Sequence, residues 1–557
     1  MVNELQHLLE VRGFAERPAQ NRLFEHLIRA DNTGVVSQAG TGTGKSMAVL
    51  AAAAHKARAL GKQSIVITPT LTLMNQYRDG DTPWAAKAFD DLAFAELRGR
   101  AHYWCEMTKS GDEMMGEYLG GCGGSDAGCT KNGYLGHDDF CDKDENCGHG
   151  LGWVCEYQAA KILAMEADVV VTNADMLIVN DRILAPMEAN FFDLDGALFV
   201  DEAHTLDQKF RDYASRSLHF KGLERFKFAG TAGPTAARWL KGQDGGKALT
   251  AREIPASAMA ALRDIAAANI PDPRPKDGLA KQRETQEAVV RILAYADDPH
   301  DSAVLHINQQ ALKMDWINVS QSSGELLRAR HFGLVSATVP KSMAATLGVA
   351  DAPFADVGHP FDYGKQAWLG FSAYGGDYRS AQSPANFEAR VNELVDLLKR
   401  SKGGALLLFS SFKDMEAVAD RVIPQIRDVV GATLVQDREG DAADRQVLAD
   451  KFRADGNAVL FGSESFATGF DVPGNALRLV VVWKLPYPAV DPVANAIRSA
   501  SYQRYEDMMR VRAVQAIGRL IRTDSDKGIV WLADQRGKKL LDPTDPLTSH
   551  IPEFARL

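Results

Sequence analysis

"SQAGTGTGKSMAVLAAAAHKA", Ser37 to Ala57, is the stretch from which the rest of the chain is read. A short run, Gly34-Val35-Val36, leads into it, and an Ala-rich segment of helical composition follows. Strand, glycine-rich loop and helix in that order are the context of a phosphate-binding loop. Gly40, Gly42 and Gly44 let successive backbone N–H groups turn toward phosphate oxygens, and the start of the helix adds partial positive charge. Lys45 is placed to reach the β and γ phosphates of a nucleoside triphosphate, and the Ser46 hydroxyl to ligate Mg²⁺. The first position of the strict pattern holds Ala39 instead of Gly.

"ALFVDEAH", residues 197–204, supplies the complementary half: a buried strand ending in adjacent carboxylates, where a parallel sheet presents residues to a ligand. Asp201 is expected to hold Mg²⁺ through water and Glu202 to polarise the attacking water. Such a pair also occurs as a helix cap or a solvated turn, and the phosphate loop is what tips the reading toward catalysis. Further on, "QAIGRLIRT" puts Gln515, Arg519 and Arg522 at i, i+4 and i+7, one face of a helix. A salt-bridged outer face is one reading. The other is that arginines of a second domain reach the γ-phosphate, so that hydrolysis requires the cleft to close.

Continuous apolar runs with helical segments between them recur along the chain: "SIVITPT", "ADVVVTN", "GALFVDEAH" and "FGLVSAT", then "GALLLFSS", "ATLVQD", "NAVLFGS", "LRLVVVWKLP" and "GIVWLAD". Strands of this kind belong to parallel sheets covered by helices on both faces. They fall into two groups on either side of the loop-like "GHPFDYGKQ", which predicts an α/β fold of two tandem domains. The first group is interrupted by a Gly- and Asp-rich segment and by a second, mainly helical one. The predicted boundaries are 1–100, 161–206 and 313–362 for the first domain, 101–160 and 207–312 for its insertions, and 363–557 for the second domain.

The formal net charge is −10, so any nucleic acid must be met by a localised basic groove. No apolar run is long enough to span a bilayer and the N-terminus lacks signal-peptide layout, which predicts a cytoplasmic protein without membrane contact. All six cysteines lie between positions 105 and 155, and in a reducing compartment such a cluster reads as metal ligands sooner than as disulfides. "KFRDYASRSLHFKGLERFKF" interleaves Lys209, Arg211, Arg216, Lys221, Arg225 and Lys227 with Phe210, Tyr213, Phe220 and Phe226. That composition suits a single-strand groove, and equally an amphipathic segment with a basic outside and an aromatic core face.

In their order these elements resemble superfamily 2 helicases, and more closely the DinG/XPD group of iron-sulfur helicases. "RPAQNRLFEHL" looks like the adenine-reading Q motif with Gln20 as reader, "ITPTLTLMNQ" is similar to motif Ia, and "VDEAH" to motif II. "VSATVP", with Ser336, Ala337 and Thr338, resembles motif III; "FATGFDVPG" followed by "KLPYPAVDP" resembles motif V and the strand after it. The resemblance implies RecA-like motor domains, ATP and Mg²⁺ as cofactors, and 5'-to-3' translocation on single-stranded DNA. It also implies a four-cysteine cluster, 4Fe-4S in type, between motifs Ia and II, and an arch in the second insertion forming a pore for one strand.

On this resemblance Cys105, Cys141, Cys147 and Cys155 are the ligands, while Cys122 and Cys129 are spare. Zinc is the rival metal, although its sites favour closer cysteine pairs, and a domain that has lost its cluster is a third reading. His137 and His149 read as surface residues. Implied partners are single-stranded and duplex DNA, an RNA-DNA hybrid, and the effector complex of a repair system or, in one bacterial, phage or plasmid branch, a type IV CRISPR system, with a monomeric motor. One departure stands out: motif V usually reads Phe-Trp-Glu-Gly, and here it is Phe466-Ala467-Thr468-Gly469. The loss of the Glu keeps open an ATP-gated recruitment or remodelling factor without processive unwinding.

Overall fold

A computed structural model describes residues 3–69, 71–99, 102–103, 156–184, 190–193, 195–243, 245–271, 279–374, 383–467, 472, 474–541 and 555–556. The six cysteines, His137, His149 and Thr468 lie outside the described residues, and with them the expectations about the cluster and motif V.

The strands of the first half are β1 (Val35–Gln38), β2 (Ser64–Thr68), β3 (Phe94–Leu97), β4 (Val169–Asn173) and β5 (Ala197–Val200). Next come β6 (Arg216–His219), β7 (Lys247–Ala248), β8 (Ala303–Asn308) and β9 (Ala311–Trp316), then β10 (His331–Ser336) and β11 (Phe354–Asp356). The first sheet has seven strands in the order β11-β1-β10-β5-β2-β4-β3, and the pairings are parallel. Its strands read as unbroken apolar runs because both faces are covered. Val36, Ile65, Ile67, Leu198 and Val200 feed one core, while Val35, Val66, Val169 and Phe199 feed the other. The helix Lys45–Leu60 packs on the second face, and its buried Ala48, Ala51, Ala52, Ala53 and Ala54 have no bulk to hold it off the sheet.

The second lobe holds β12 (Ala367–Phe371), β13 (Ala405–Phe409), β14 (Thr433–Val435), β15 (Val459–Ser463), β16 (Leu479–Val482), β17 (Gly528–Leu532) and β18 (Ala555–Arg556). They form a parallel seven-stranded sheet in the order β14-β15-β13-β16-β17-β12-β18. Leu406 and Leu408 point into one core and Leu407 and Phe409 into the other. The two-sheet α/β architecture expected from the apolar runs is therefore present, with β3, β11, β12 and β18 added beyond those runs.

The segment between β5 and β10 contains more than helices. The strands β6, β9, β8 and β7 form an antiparallel four-stranded sheet, against which the helices Ala232–Lys241, Ala256–Ala266 and Ala280–Asp297 build a separate core. Because β9 pairs within this sheet, the segment's own structure runs past residue 312, where the sequence reading ended it. No helix among the described residues is long and apolar enough to cross a membrane.

Candidate active site: a nucleotide cleft between two lobes

Neighbouring strands β1, β10 and β5 end side by side, with Gln38 opposite Ser336 in register. Three sequence-distant motifs therefore converge at the carboxyl edge of the sheet: the phosphate loop after β1, Ser336 closing β10, and Asp201-Glu202 after β5.

The loop turns through left-handed backbone at Gly42 (φ 77°) and Gly44 (φ 83°), conformations that cost glycine nothing. Among the described residues no side chain caps the helix that begins at Lys45, which leaves its first N–H groups to face an anion. Gln20 is buried, and its amide nitrogen donates to the Gly44 carbonyl at 2.9 Å, while the Arg17 guanidinium donates to the Gly42 carbonyl. The segment expected to read the base thus also braces the loop. From the inter-lobe connection, His359 and Phe361 pack so closely on Gly40 and Gly42 that a Cβ at either glycine would collide with a ring.

Lys45 Nζ stands 3.7 Å from Glu202 Oε1. Burial alone would raise the Glu202 carboxyl, but Lys45, His204 and Arg519 outweigh it and hold Glu202 well below the usual carboxylate range. Asp201 moves the other way: burial, reinforced by the charge of Glu202, pushes it up to about 6. Its Oδ1 accepts the Glu202 N–H at 2.9 Å and its Oδ2 the Tyr77 hydroxyl at 3.0 Å. Glu202 itself sits at φ 48°, a left-handed conformation that is rare for a residue with a Cβ and is found preferentially at functional sites. A serine hydroxyl and a buried carboxylate are the hard oxygen donors Mg²⁺ prefers, so Ser46 and Asp201 fit the ion.

His204 was not singled out in the sequence, yet it is the hub of the cleft. Its Nδ1 lies 2.9 Å from Ser336 Oγ and 3.4 Å from Glu202 Oε2, and its Nε2 lies 2.6 Å from the Gln515 amide nitrogen. The amide can only donate, so Nε2 accepts and the ring proton sits on Nδ1, facing Ser336 and Glu202. Ser336 Oγ in turn donates to the Thr338 carbonyl at 2.9 Å. One imidazole therefore joins the acid pair, the end of β10 and the second lobe. The signal available in sequence was its place two residues after Glu202.

The expected helical face of Gln515, Arg519 and Arg522 needs correcting. The helix Tyr502–Ile517 stops before Gly518, and both arginines follow it, Arg519 in a turn and Arg522 in irregular chain. Gly518 marks a close approach between lobes, since a Cβ there would lie 3.6 Å from Thr41 Cγ2 of the phosphate loop. Arg519 still acts on the site, because its charge is among those that hold Glu202 ionised. Arg522 bears on Tyr363 of the inter-lobe connection, and its backbone N–H is held by Asp526 Oδ2 at 2.7 Å.

The same helix ties the lobes at two more points. Arg504 Nη2 donates to Asp207 Oδ2 at 2.8 Å, and Ser342 Oγ donates to Asp507 Oδ2 at 2.6 Å.

The basic-aromatic segment is placed differently from a strand-gripping groove. Phe220 and Phe226 are buried in the core of the second insertion, and Phe210 in the core of the first lobe. Arg211 is buried against Asp207 at 3.0 Å, and Lys209 pairs with Asp175 at 2.9 Å. Tyr213 alone of the four rings is exposed. An exposed cation and ring occur together elsewhere: Arg498 lies 5.9 Å from the Tyr502 ring, on the wall of a cleft of about 1590 Å³ between the second insertion and the second lobe.

Residues 17–80 match the DEAD/DEAH box helicase family and residues 394–544 the helicase C-terminal domain family. The ATP-dependent helicase DinG of Mycobacterium tuberculosis is 27% identical, the alignment covering 94% of this chain and 91% of that protein. A probable ATP-dependent helicase, YpvA of Bacillus subtilis, is 29% identical over 36% of this chain, which spans only 30% of that protein's length. Among solved structures an XPD helicase superposes with a TM-score of 0.61 over 98% of this chain and all of its own, at 16% identity, a likeness of fold. Helicase domain families matched in both lobes and a DinG relative aligned almost end to end make this chain similar to DinG-type helicases, with which it shares sequence, and to XPD, with which it shares the fold.

Proposed function

We propose that the chain hydrolyses ATP in the inter-lobe cleft and uses its closure to move 5' to 3' along single-stranded DNA, unwinding duplex ahead of it. The observation that carries this is the bridge from Gln515 to His204 at 2.6 Å, which couples the second lobe to the acid pair through a single imidazole. Glu202, held ionised, is the group that orients the attacking water; Lys45 and Arg519 face the charge that develops on the γ-phosphate. Mg²⁺ held by Ser46 and Asp201 would neutralise the β- and γ-phosphate oxygens. Gln20 is assigned to the adenine, and Arg522 to the closing of the lobes.

The strand is assigned to the cleft that carries Arg498 and Tyr502, where cations can follow phosphates and rings can stack on bases. We assign a 4Fe-4S cluster to Cys105, Cys141, Cys147 and Cys155, acting as a cross-link that orders a segment poor in apolar residues. An RNA-DNA hybrid is a further substrate in this reading, and a single copy of the chain is the working motor.

Unwinding of a labelled duplex with a 5' or a 3' single-stranded tail tests the motor. Unwinding from the 3' tail alone contradicts the polarity, and ATP hydrolysis that no nucleic acid stimulates overturns the motor itself. Iron and sulfide content of each Cys→Ser variant, purified without oxygen, tests the ligand set; full occupancy after Cys147→Ser shows that choice to be wrong.

A further inference from the structure

The two oxygen ligands assigned to Mg²⁺ come from different parts of the first lobe, yet one turn of backbone reaches both. Residues Tyr77–Asp81 form a π-helical turn between the helices Leu71–Gln76 and Thr82–Ala88. A π turn carries an extra residue per turn and re-aims the side chains around it, and such turns concentrate at functional sites. At its first position the buried Tyr77 hydroxyl donates to Asp201 Oδ2 at 3.0 Å. At its last position the buried Asp81 accepts the Ser46 hydroxyl through Oδ2 and the Arg12 guanidinium through Oδ1. Arg12 is itself fixed, 3.4 Å from Met47 Sδ and 4.6 Å from the centre of the Phe14 ring.

A hydroxyl binds a cation through a lone pair. When its proton is committed to a carboxylate, the oxygen becomes more basic and its free lone pairs are held in one direction, as second-shell partners do for other metal ligands. The Ser46 proton does not go to Asp201 here, whose oxygens receive the Tyr77 hydroxyl and the Glu202 N–H. That task falls to Asp81. A buried carboxylate so close to the ion would compete as a ligand, but the Arg12 guanidinium occupies its second oxygen and offsets its charge.

We propose that the Tyr77–Asp81 turn is the positioning element of the Mg²⁺ site: Asp81 aims the Ser46 hydroxyl, Tyr77 fixes Asp201, and Arg12 keeps Asp81 an acceptor instead of a ligand. The inference rests on the ATP-Mg²⁺ reading of the phosphate loop. Its test is the affinity of the full-length chain for Mn²⁺ in the presence of ADP, read by electron paramagnetic resonance, beside ADP binding in metal-free buffer. Asp81→Ala is expected to weaken Mn²⁺ about 10- to 100-fold and Tyr77→Phe roughly tenfold, with metal-free ADP affinity unchanged. Asp81→Asn, which keeps an acceptor oxygen, is expected to restore most of the loss. Unaltered Mn²⁺ affinity in Asp81→Ala and Tyr77→Phe, with only a lowered melting temperature, overturns the proposal. If Asp81→Ala does not fold, Tyr77→Phe decides alone, since it removes a single hydroxyl. Failure of the unmodified chain to bind ADP at all would instead overturn the nucleotide-site reading.

Discussion

The nucleotide cleft and the segment from Lys209 to Lys227 are both rich in charge, and they use it in opposite ways. In the cleft, Lys45, Glu202, His204, Arg519 and Gln515 come from two lobes and converge. In the segment, Arg211 is paired with Asp207 and Lys209 with Asp175, while three of its four rings face cores. The difference lies in what places the residues. A parallel sheet delivers the ends of adjacent strands to one edge whatever their separation in sequence. Alternating cations and rings satisfy a core face and a wet face with no ligand at all.

This contrast can be broken by substitution. Arg519→Ala should lower the ATPase turnover number by about 10³-fold or more if the arginine meets transition-state charge, with little change in melting temperature. A loss confined to stability would put Arg519 with the structural pairs. Phe226→Ala should do the reverse, costing about 3–5 kcal/mol of stability by denaturant unfolding while single-strand affinity holds for the folded fraction. Weaker strand binding at full stability would return that ring to the ligand side.

Lys45→Ala should reduce turnover by about 10²- to 10³-fold without disturbing the fold, since a lysine at the first position of its helix, facing a cleft, carries little packing. Tyr502→Ala sharpens the comparison at its weaker end: loss of one stacking platform should cost about 1–3 kcal/mol of single-strand affinity in a fluorescence titration. Substituting Tyr213 in the same assay gives the contrast within the basic segment.

Much of this organisation was legible in the sequence, for reasons that also mark the limits. The phosphate loop, the acid pair and the two sheets announce themselves because buried parallel strands must be continuously apolar and the loop needs glycine at fixed places. The strand β3 was missed because its edge position leaves Phe94 and Glu96 only half-buried, so no apolar run forms. The strand β12, an internal strand, was missed because the glycine inside it weakens the strand signature. Helical spacing placed Arg519 and Arg522 on a face that ends at Ile517, because the chain leaves the helix where Gly518 meets the phosphate loop. His204, Tyr77 and Asp81 gain their roles from contacts about 35 to 310 residues away, or from a π turn that no simple period reveals.

The helix Tyr502–Ile517 holds Arg504 against Asp207, Asp507 against Ser342 and Gln515 against His204 along a length of roughly 24 Å. Substitutions so far apart as Arg504 and Gln515 would ordinarily have additive effects. Here they share a stiff rod, so whichever end is released, the other loses its alignment. The docked and undocked states become a single all-or-none equilibrium, and a double-mutant cycle across the helix should report a coupling that neither pair of partners could produce through space.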